Sequence, residues 1–480
     1  MTLLNNLFLE SGRFVGTEKT RHPDSMSDQD IRRVVCQVIM EWAEQPQAVA
    51  PLLERSLNSE PACNQVQRAL ATNLTSGVIR WQRRLDHYID RLLTKRKMVQ
   101  PEVRNILRLA LFELEFPNEK SRPEYAVVSQ AVNLTKIIAP GRDGFVNGIL
   151  RSFLRHDPAD LLPEDNNKPR NLAIRYSLPV WLVKKWQADC GPTAAKILCR
   201  KANHFQGTTF RSNQMKISRE EFLESFADEN DSEIKLEKGM FSENAFNSMQ
   251  AAPLLNSKWF HEGFISVQDE GAQLIAELLN PQPGEIILDA CAAPGGKGAY
   301  MAELSNDQAT IIAADSEPER LLRISETGAR LELNSIKPVC TDLTKALPPE
   351  LPQAYDAILV DVPCSGLGVI RRRADLRWRK SLKESTELAT IQLQILTNCS
   401  KYLKIGGRII YATCTTCRNE NQDVVAEFLA RNRNFRIIPQ TEIEPERLQK
   451  LINCDNFLET SFIEGAQMDG FFAAMITRTS

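Results

Sequence analysis

The apolar residues of this chain change their spacing along its length. From about Ser27 to Leu154 they recur at helical intervals. In VRNILRLALFELEF (residues 103–116), Val103, Leu107, Ala110 and Leu114 share one stripe, Ile106 and Leu111 widen it, and Arg104 and Arg108 lie off its centre. Residues 28–42, 65–93 and 124–138 repeat the pattern, and no alternating run interrupts them. An all-α bundle is the expected outcome.

The segment HDPADLLPEDNNKPR is rich in Pro, Asp and Asn, lacks periodicity and reads as a linker. A helical stretch follows over 179–203. GTTFRSNQM then reads as a strand, and SREEFLESFAD as a helix opened by Ser218 with Glu221 three residues on. From about Gly263 short β-rich runs, EIILDA, TIIAAD, AILVDV and RIIYAT, alternate with helical segments such as QLIAELL. That alternation predicts βαβ units and a doubly wound parallel sheet. The expected organisation is a tail (1–26), a helical domain (27–157), a linker (158–170), a small α/β middle module (171–255) and a Rossmann-like α/β domain (256–480).

A length of 480 residues also argues for more than one core. The first residues carry Glu10 and lack a long apolar stretch, and no run reaches membrane-spanning length, so a cytoplasmic protein without membrane association is expected. Eleven cysteines without repeated spacing suggest reduced thiols. The one close pair, Cys414 and Cys417, lacks the second pair of a zinc site, so no metal is expected. The net charge of −2 conceals an asymmetry: residues 75–156 hold fifteen Lys and Arg against eight Asp and Glu, a local +7 that leaves −9 for the rest. Arg80, Arg83, Arg84, Arg91, Lys95, Arg96 and Lys97 would set up a field that attracts polyphosphate, or would form a solvated helix face.

Candidate chemistry gathers at the strand ends. Ligands of open α/β sheets bind beyond the carboxyl ends of the strands, so the segments that follow EIILDA, AILVDV and RIIYAT should converge. After EIILDA comes Cys291-Ala292-Ala293-Pro294-Gly295-Gly296-Lys297, a glycine-rich turn opening a helix whose N–H groups can meet a carboxylate or phosphate. Asp315, twenty residues after Gly295, is placed to accept ribose hydroxyls, and Asp342 to accept an adenine amino group or to cap a helix. An adenosine-containing cofactor fits these features. Asp361-Val362-Pro363-Cys364 supplies a carboxylate and a thiol, and Ala412-Thr413-Cys414 a second thiol. A thiolate added to C6 of a cytosine creates an enamine at C5 that a methyl sulfonium can alkylate, and a carboxylic acid at N3 stabilises the charge of that addition.

Together LDACAAPGGKGAYMAEL, LVDVPCSGLGVIRRRADLRW, YATCTTCRNEN and the terminal MDGFFAAMI resemble the successive motifs of the RNA cytosine-C5 methyltransferases that use S-adenosylmethionine. VRNILRLALFELEF and GRDGFVNGILRSFLR resemble the NusB-like domain that distinguishes the ribosomal RNA small-subunit methyltransferase B (Sun or Fmu) family. The resemblance implies a small-subunit ribosomal RNA substrate and no DNA. It implies Cys414 as the nucleophile, Cys364 as the group that helps release product, Asp361 at the target base, and Lys297 in the active-site cavity. Residues 291–297 with Asp315, Asp342 and Asp361 would bind S-adenosylmethionine. Spacing alone does not choose between the two cysteines, because DNA cytosine methyltransferases use the Pro-Cys thiol as nucleophile.

Arg371, Arg372, Arg373 and Arg377 interleaved with Trp378 after Cys364 resemble an RNA-binding rim. Arg211 and Asn213 resemble the Arg-x-Asn segment of the family's middle module. The chain departs from the family pattern at Gly298, where Thr or Ser is usual, at Thr415 for Ser, and in its additional thiol, Cys417. Transfer RNA or another RNA is an alternative substrate. A non-catalytic assembly factor is a second alternative, against which the intact Asp361, Cys364 and Cys414 argue.

Overall fold

The computed structural model describes residues 26–60, 63–93, 98–117, 122–204, 207–229, 234–463 and 465–480. Apart from Met26, the expected tail lies outside them, as do Lys95, Arg96 and Lys97. The chain forms two compact units, one of residues up to 204 with Ile370–Arg379, the other of the remainder from residue 207 onward.

In the first unit the amphipathic stripes become helices Asp28–Glu44, Val49–Asn58, Gln65–Leu92, Pro101–Glu115, Glu124–Ile138 and Asp143–Phe153. Local sequence sets several of their starts. Ser27 and Asp30 form a reciprocal capping box, as do Asn64 and Gln67, and Pro101 occupies the first turn of its helix. Val103, Ile106, Leu107, Ala110 and Leu111 are all buried in one core. Arg104 and Arg108 turn towards a neighbouring helix instead of solvent. Arg108 grips Asp86 through two bonds of 2.8 and 2.7 Å, and Arg104 reaches Asp90 at 2.8 Å. Arg84 pairs with Glu115 and Arg32 with Glu113. Of the residues expected to face polyphosphate, Arg84 is thus spent within the bundle.

The expected linker is partly helical. Asp157 caps Pro158–Leu161, whose Leu161 is buried in the same core, and Pro169–Arg175 forms a further helix. Asp and Pro, which end the preceding helix, also start new ones. Helix Val180–Lys201 follows, interrupted at Gly191 (φ 82°).

The second unit holds two sheets. Strands β1 (Thr208–Ser212), β2 (Leu236–Lys238), β3 (Ala245–Ser248) and β4 (Ile265–Val267) form an antiparallel sheet in the order β2-β3-β1-β4. The expected Ser218–Glu221 cap is present, each residue's backbone N–H donating to the other's side chain. The larger sheet comprises β5 (Ile286–Ala290), β6 (Thr310–Asp315), β7 (Ile336–Cys340), β8 (Tyr355–Asp361), β9 (Leu403–Thr413), β10 (Phe435–Ile437), β11 (Phe457–Glu459) and β12 (Phe472–Arg478). Its order is β10-β12-β9-β8-β5-β6-β7, with β11 also paired to β12. Strands β5 to β9 pair in parallel, whereas β10, β11 and β12 are antiparallel.

The apolar runs of β5, β8 and β9 are buried on both faces, because helices Glu270–Leu279 and Gly296–Leu304 cover one side and Leu382–Ser400 and Gln422–Arg431 the other. Strand order reverses beside β5, so the carboxyl ends of β5, β8 and β9 open into one crevice. Among the described residues no helix is long and apolar enough to cross a membrane.

Candidate active site

Three loops meet at that crevice. The first follows β5. Gly295 adopts φ +100°, and a Cβ there would lie 3.1 Å from Ile324 Cα, so both conformation and space favour glycine. This turn delivers Lys297 into the first turn of helix Gly296–Leu304. Lys297 Nζ lies 2.6 Å from Asp361 Oδ2 at the end of β8 and 5.2 Å from the centre of the Phe471 ring. The Asp361 carboxylate beside it raises the Lys297 pKa against the opposing effect of burial, which is the largest influence. The ammonium stays charged.

Two thiols stand beside this pair. Cys364, three residues beyond β8, and Cys414, the residue after β9, bring their sulfurs to 3.2 Å although fifty positions separate them in sequence. Both are partly exposed. The charges around them differ: Lys297 favours the thiolate of Cys414 while Asp361 and Asp469 disfavour it, and Glu420 disfavours that of Cys364. The hydrogen bond from Cys364 is the largest influence lowering the Cys414 pKa, and the same bond raises that of Cys364. Burial and Asp361 oppose the shift at Cys414. Either sulfur can be the donor in this contact, and Cys414 N–H also donates to Cys364 Sγ at 3.3 Å; the balance of the other groups favours the thiolate at Cys414.

The terminal MDGFF motif closes the floor. Gly368 N–H donates to Cys414 O at 2.9 Å, and Gly470 N–H to Gly368 O at 2.9 Å. A Cβ on Gly368 would sit 1.9 Å from Gly470 O, so this crossing of three chain segments requires glycine.

The expected cofactor residues take distinct places. Cys291 to Gly296 form the turn, with Ala292 N–H bonded to Ala314 O at 2.9 Å. Pro294 follows a cis peptide bond. Asp315 is buried. It accepts from Ala293 N–H at 3.2 Å and Glu317 N–H at 3.1 Å, and Arg320 lies 3.4 Å away, so it organises the turn itself. Asp342 accepts from Thr344 N–H and Oγ at 3.0 and 2.6 Å and pairs with Lys345, as a turn-capping residue does.

Sequence reasoning passed over two polar side chains at this turn. Both Asp289 carboxylate oxygens and Gln268 Nε2 are buried without a hydrogen-bond partner. Asp289 fills the space that Gly298 leaves, since a Cβ on Gly298 would lie 2.7 Å from Oδ2. Its signal was available: it is the acidic residue within the LDACAAPGG motif.

The expected RNA-binding rim is partly corrected. Arg377 is fully buried in the helical unit, donating to Ser177 O (3.1 Å), Asn203 Oδ1 (2.8 Å), Ala202 O (2.8 Å) and Ile370 O (3.2 Å). A guanidinium committed to these acceptors and closed to solvent cannot hold a phosphate. Trp378 packs against the helical core, donates to Ile79 O at 2.7 Å and lies under Arg83, which leaves its ring no open face of that side for a base. Arg371 is buried, Arg372 half-buried and Arg373 exposed. Arg211 and Asn213 are also internal. Arg211 forms a two-bond pair with Glu303 (2.5 and 3.1 Å), and Asn213 donates to Gly263 O at 3.1 Å.

Successive parts of the chain match known families. Residues 276–477 match the 16S rRNA methyltransferase RsmB/F family, residues 29–155 the NusB family, and residues 178–252 the RsmF/B-like ferredoxin-like domain. The chain is 34% identical over 452 residues to a probable ribosomal RNA small subunit methyltransferase B of Bacillus subtilis, covering 93% of this chain and 98% of that one. It is 33% identical to the ribosomal RNA small subunit methyltransferase B of Pseudomonas syringae pv. tomato, covering 77% and 80%. The crystal structure of PH0851 shares the fold with a TM-score of 0.72 at 22% identity, covering 95% of this chain and 99% of that one.

Proposed function

We infer a specific reaction for this chain, which belongs to the ribosomal RNA small subunit methyltransferase B family: transfer of a methyl group from S-adenosylmethionine to C5 of a cytosine in small-subunit ribosomal RNA. The observation that carries this reading is the 3.2 Å thiol pair beside the Lys297–Asp361 ion pair. The residues beside the glycine-rich turn fit the cofactor. Gly295 and Gly296 let the backbone approach a ligand, and Asp289 and Gln268 would offer a carboxyl group and an amide to its polar end. Asp315 and Asp342 would face the adenosine end of the bound cofactor. Bound S-adenosylmethionine would supply an electrophilic methyl group and leave as the neutral thioether S-adenosylhomocysteine.

The chain's own residues do the rest. Cys414 thiolate adds to C6 of the cytosine, and the electron pair of the C5–C6 double bond moves to C5, where it takes the methyl group. Asp361, oriented by Lys297, contacts the base edge, where a proton shared between its carboxyl group and N3 offsets the negative charge that develops during the addition. A base then removes the C5 proton, the double bond re-forms and Cys414 leaves, with the Cys364 thiol assisting that release. The helical domain, residues 27–157, helps to position the RNA, and Arg373 contributes from the exposed part of the rim.

Purified protein, radiolabelled S-adenosylmethionine and unmodified small-subunit ribosomal RNA test this. Digestion should yield label in 5-methylcytidine, Cys414→Ala should abolish it, and Cys364→Ala should accumulate a denaturation-resistant protein–RNA adduct. Label in another nucleoside, or full transfer by Cys414→Ala, would overturn the mechanism.

A further inference from the structure

Glu420 is a fully buried carboxylate that the reaction above does not use. It holds the Cys364 loop: Oε2 accepts from Ser365 N–H at 2.8 Å and Gln392 Nε2 at 3.0 Å, and Oε1 from Ser385 Oγ at 2.7 Å. Gln392 Nε2 also reaches Pro363 O at 3.0 Å, so both residues flanking Cys364 are tied to this group. The next residue, Asn421, holds the Cys414 loop. Its Oδ1 accepts from Thr413 Oγ at 2.5 Å, and its Nδ2 donates to Thr415 O at 3.0 Å, again one bond on each side of the cysteine. A hydrogen bond of 2.7 Å between the Ser365 and Thr415 hydroxyls joins the loops directly.

Adjacent side chains on one short turn therefore clamp two loops that come from different strands. No cation offsets the Glu420 charge among the bonds just named; its partners are an amide, a carboxamide and a hydroxyl. The titratable groups that face the two thiols are Lys297 from the helix after β5, Asp361 at the end of β8, Tyr411 on β9, Asp469 before β12, and Glu420 itself. Lys297 brings positive charge to the Cys414 side, where Asp361 and Asp469 oppose it, and Glu420 adds negative charge on the Cys364 side.

We propose that Glu420 is a positioning residue for the thiol pair: it fixes the Pro-Cys loop against Cys414, and its buried charge keeps Cys364 as the S–H donor so that Cys414 carries the thiolate. This deepens the reading of Cys414 as nucleophile, yet it concerns the free protein and is measured without RNA or cofactor.

The test is limited alkylation with iodoacetamide across a pH series, with the two cysteines quantified separately by peptide mass spectrometry. In the wild type, Cys414 should react at lower pH than Cys364; the opposite order overturns the proposal. Glu420→Gln keeps the shape and two of the acceptor contacts but removes the charge, and should shift the partition about tenfold towards Cys364, the effect of roughly one pKa unit. Ser385→Ala removes one bond to Glu420 and keeps its charge, so its partition should stay at the wild-type value. A Glu420→Gln protein with wild-type melting and an unchanged partition would also overturn the proposal, as would a Ser385→Ala shift as large as that of Glu420→Gln. Loss of methyl transfer for other reasons would leave these alkylation readouts intact, which separates this inference from the assigned reaction.

Discussion

Replacing Asp289 by Asn should change how the stability of the cofactor-free protein depends on pH. Burial, followed by the negative charge of Asp361, pushes the Asp289 carboxyl from 3.8 up to about 8, with Lys297 opposing. In the unfolded chain the same group titrates near ~3.9. A carboxyl whose folded pKa is raised stabilises the fold fully below the unfolded value and loses that contribution as pH climbs through the folded value. At ~1.4 kcal/mol per unit, a shift of roughly four units amounts to about 6 kcal/mol over the whole window, and about 3 kcal/mol between pH 5.5 and 8. The Asn amide does not titrate, so the variant should gain on the wild type as pH rises and level off above about pH 8. For a unit of this size ~3 kcal/mol corresponds to about 6 °C in melting temperature. Parallel melting curves of the two proteins at matched pH give the difference directly, because other titrating groups cancel. Difference infrared spectra should show a protonated-carboxyl stretch at neutral pH that Asp289→Asn lacks. A melting difference that stays constant from pH 5.5 to 8.5 would refute the reasoning and place an ionised, compensated carboxylate at this position.

Three further outcomes follow from the packing. Arg211→Met should destabilise the larger unit by about 3 to 5 kcal/mol in urea denaturation, because it strands the fully buried Glu303, whereas adding Glu303→Leu should restore most of the loss; additive losses would count against the pair. Gly368→Ala forces a Cβ against Gly470 O and should cost at least ~2 kcal/mol and lower methyl transfer, read from melting and activity together. Arg377→Met should destabilise the helical unit by roughly 3 kcal/mol, since it removes a donor from three buried backbone carbonyls, while Arg373→Ala should leave melting unchanged and reduce the salt dependence of RNA binding.

Local pattern carried a large part of this protein. Helix stripes such as Val103, Leu107 and Ala110 are legible because a surface helix must bury one face every 3.6 residues. Strands β5, β6, β8 and β9 are legible because a doubly covered parallel strand is a short continuous apolar run. The glycine-rich turn, Asp361 and both cysteines are likewise visible, since each directly follows or ends such a run. The antiparallel β12 was harder to read, although its MDGFFAAMI sequence marked the motif to which it belongs.

What the sequence could not disclose are the relations that long-range packing creates. Arg371, Arg373 and Arg377 look alike in a basic run, yet one segment's insertion into the helical unit buries Arg377 among carbonyls and leaves Arg373 outside. Asp289, Asp315 and Asp361 all end apolar runs, but only burial without a partner distinguishes Asp289, and only contact with Lys297 distinguishes Asp361. The thiols meet because β8 and β9 are neighbours in the sheet, and Glu420 and Asn421 then bind their loops from a third segment. Periodicity is a property of a few neighbouring residues, so the sequence by itself determined the elements and the chemistry at their ends. Partnership, burial and charge balance depend on which elements become neighbours, and for those the tertiary structure alone was decisive.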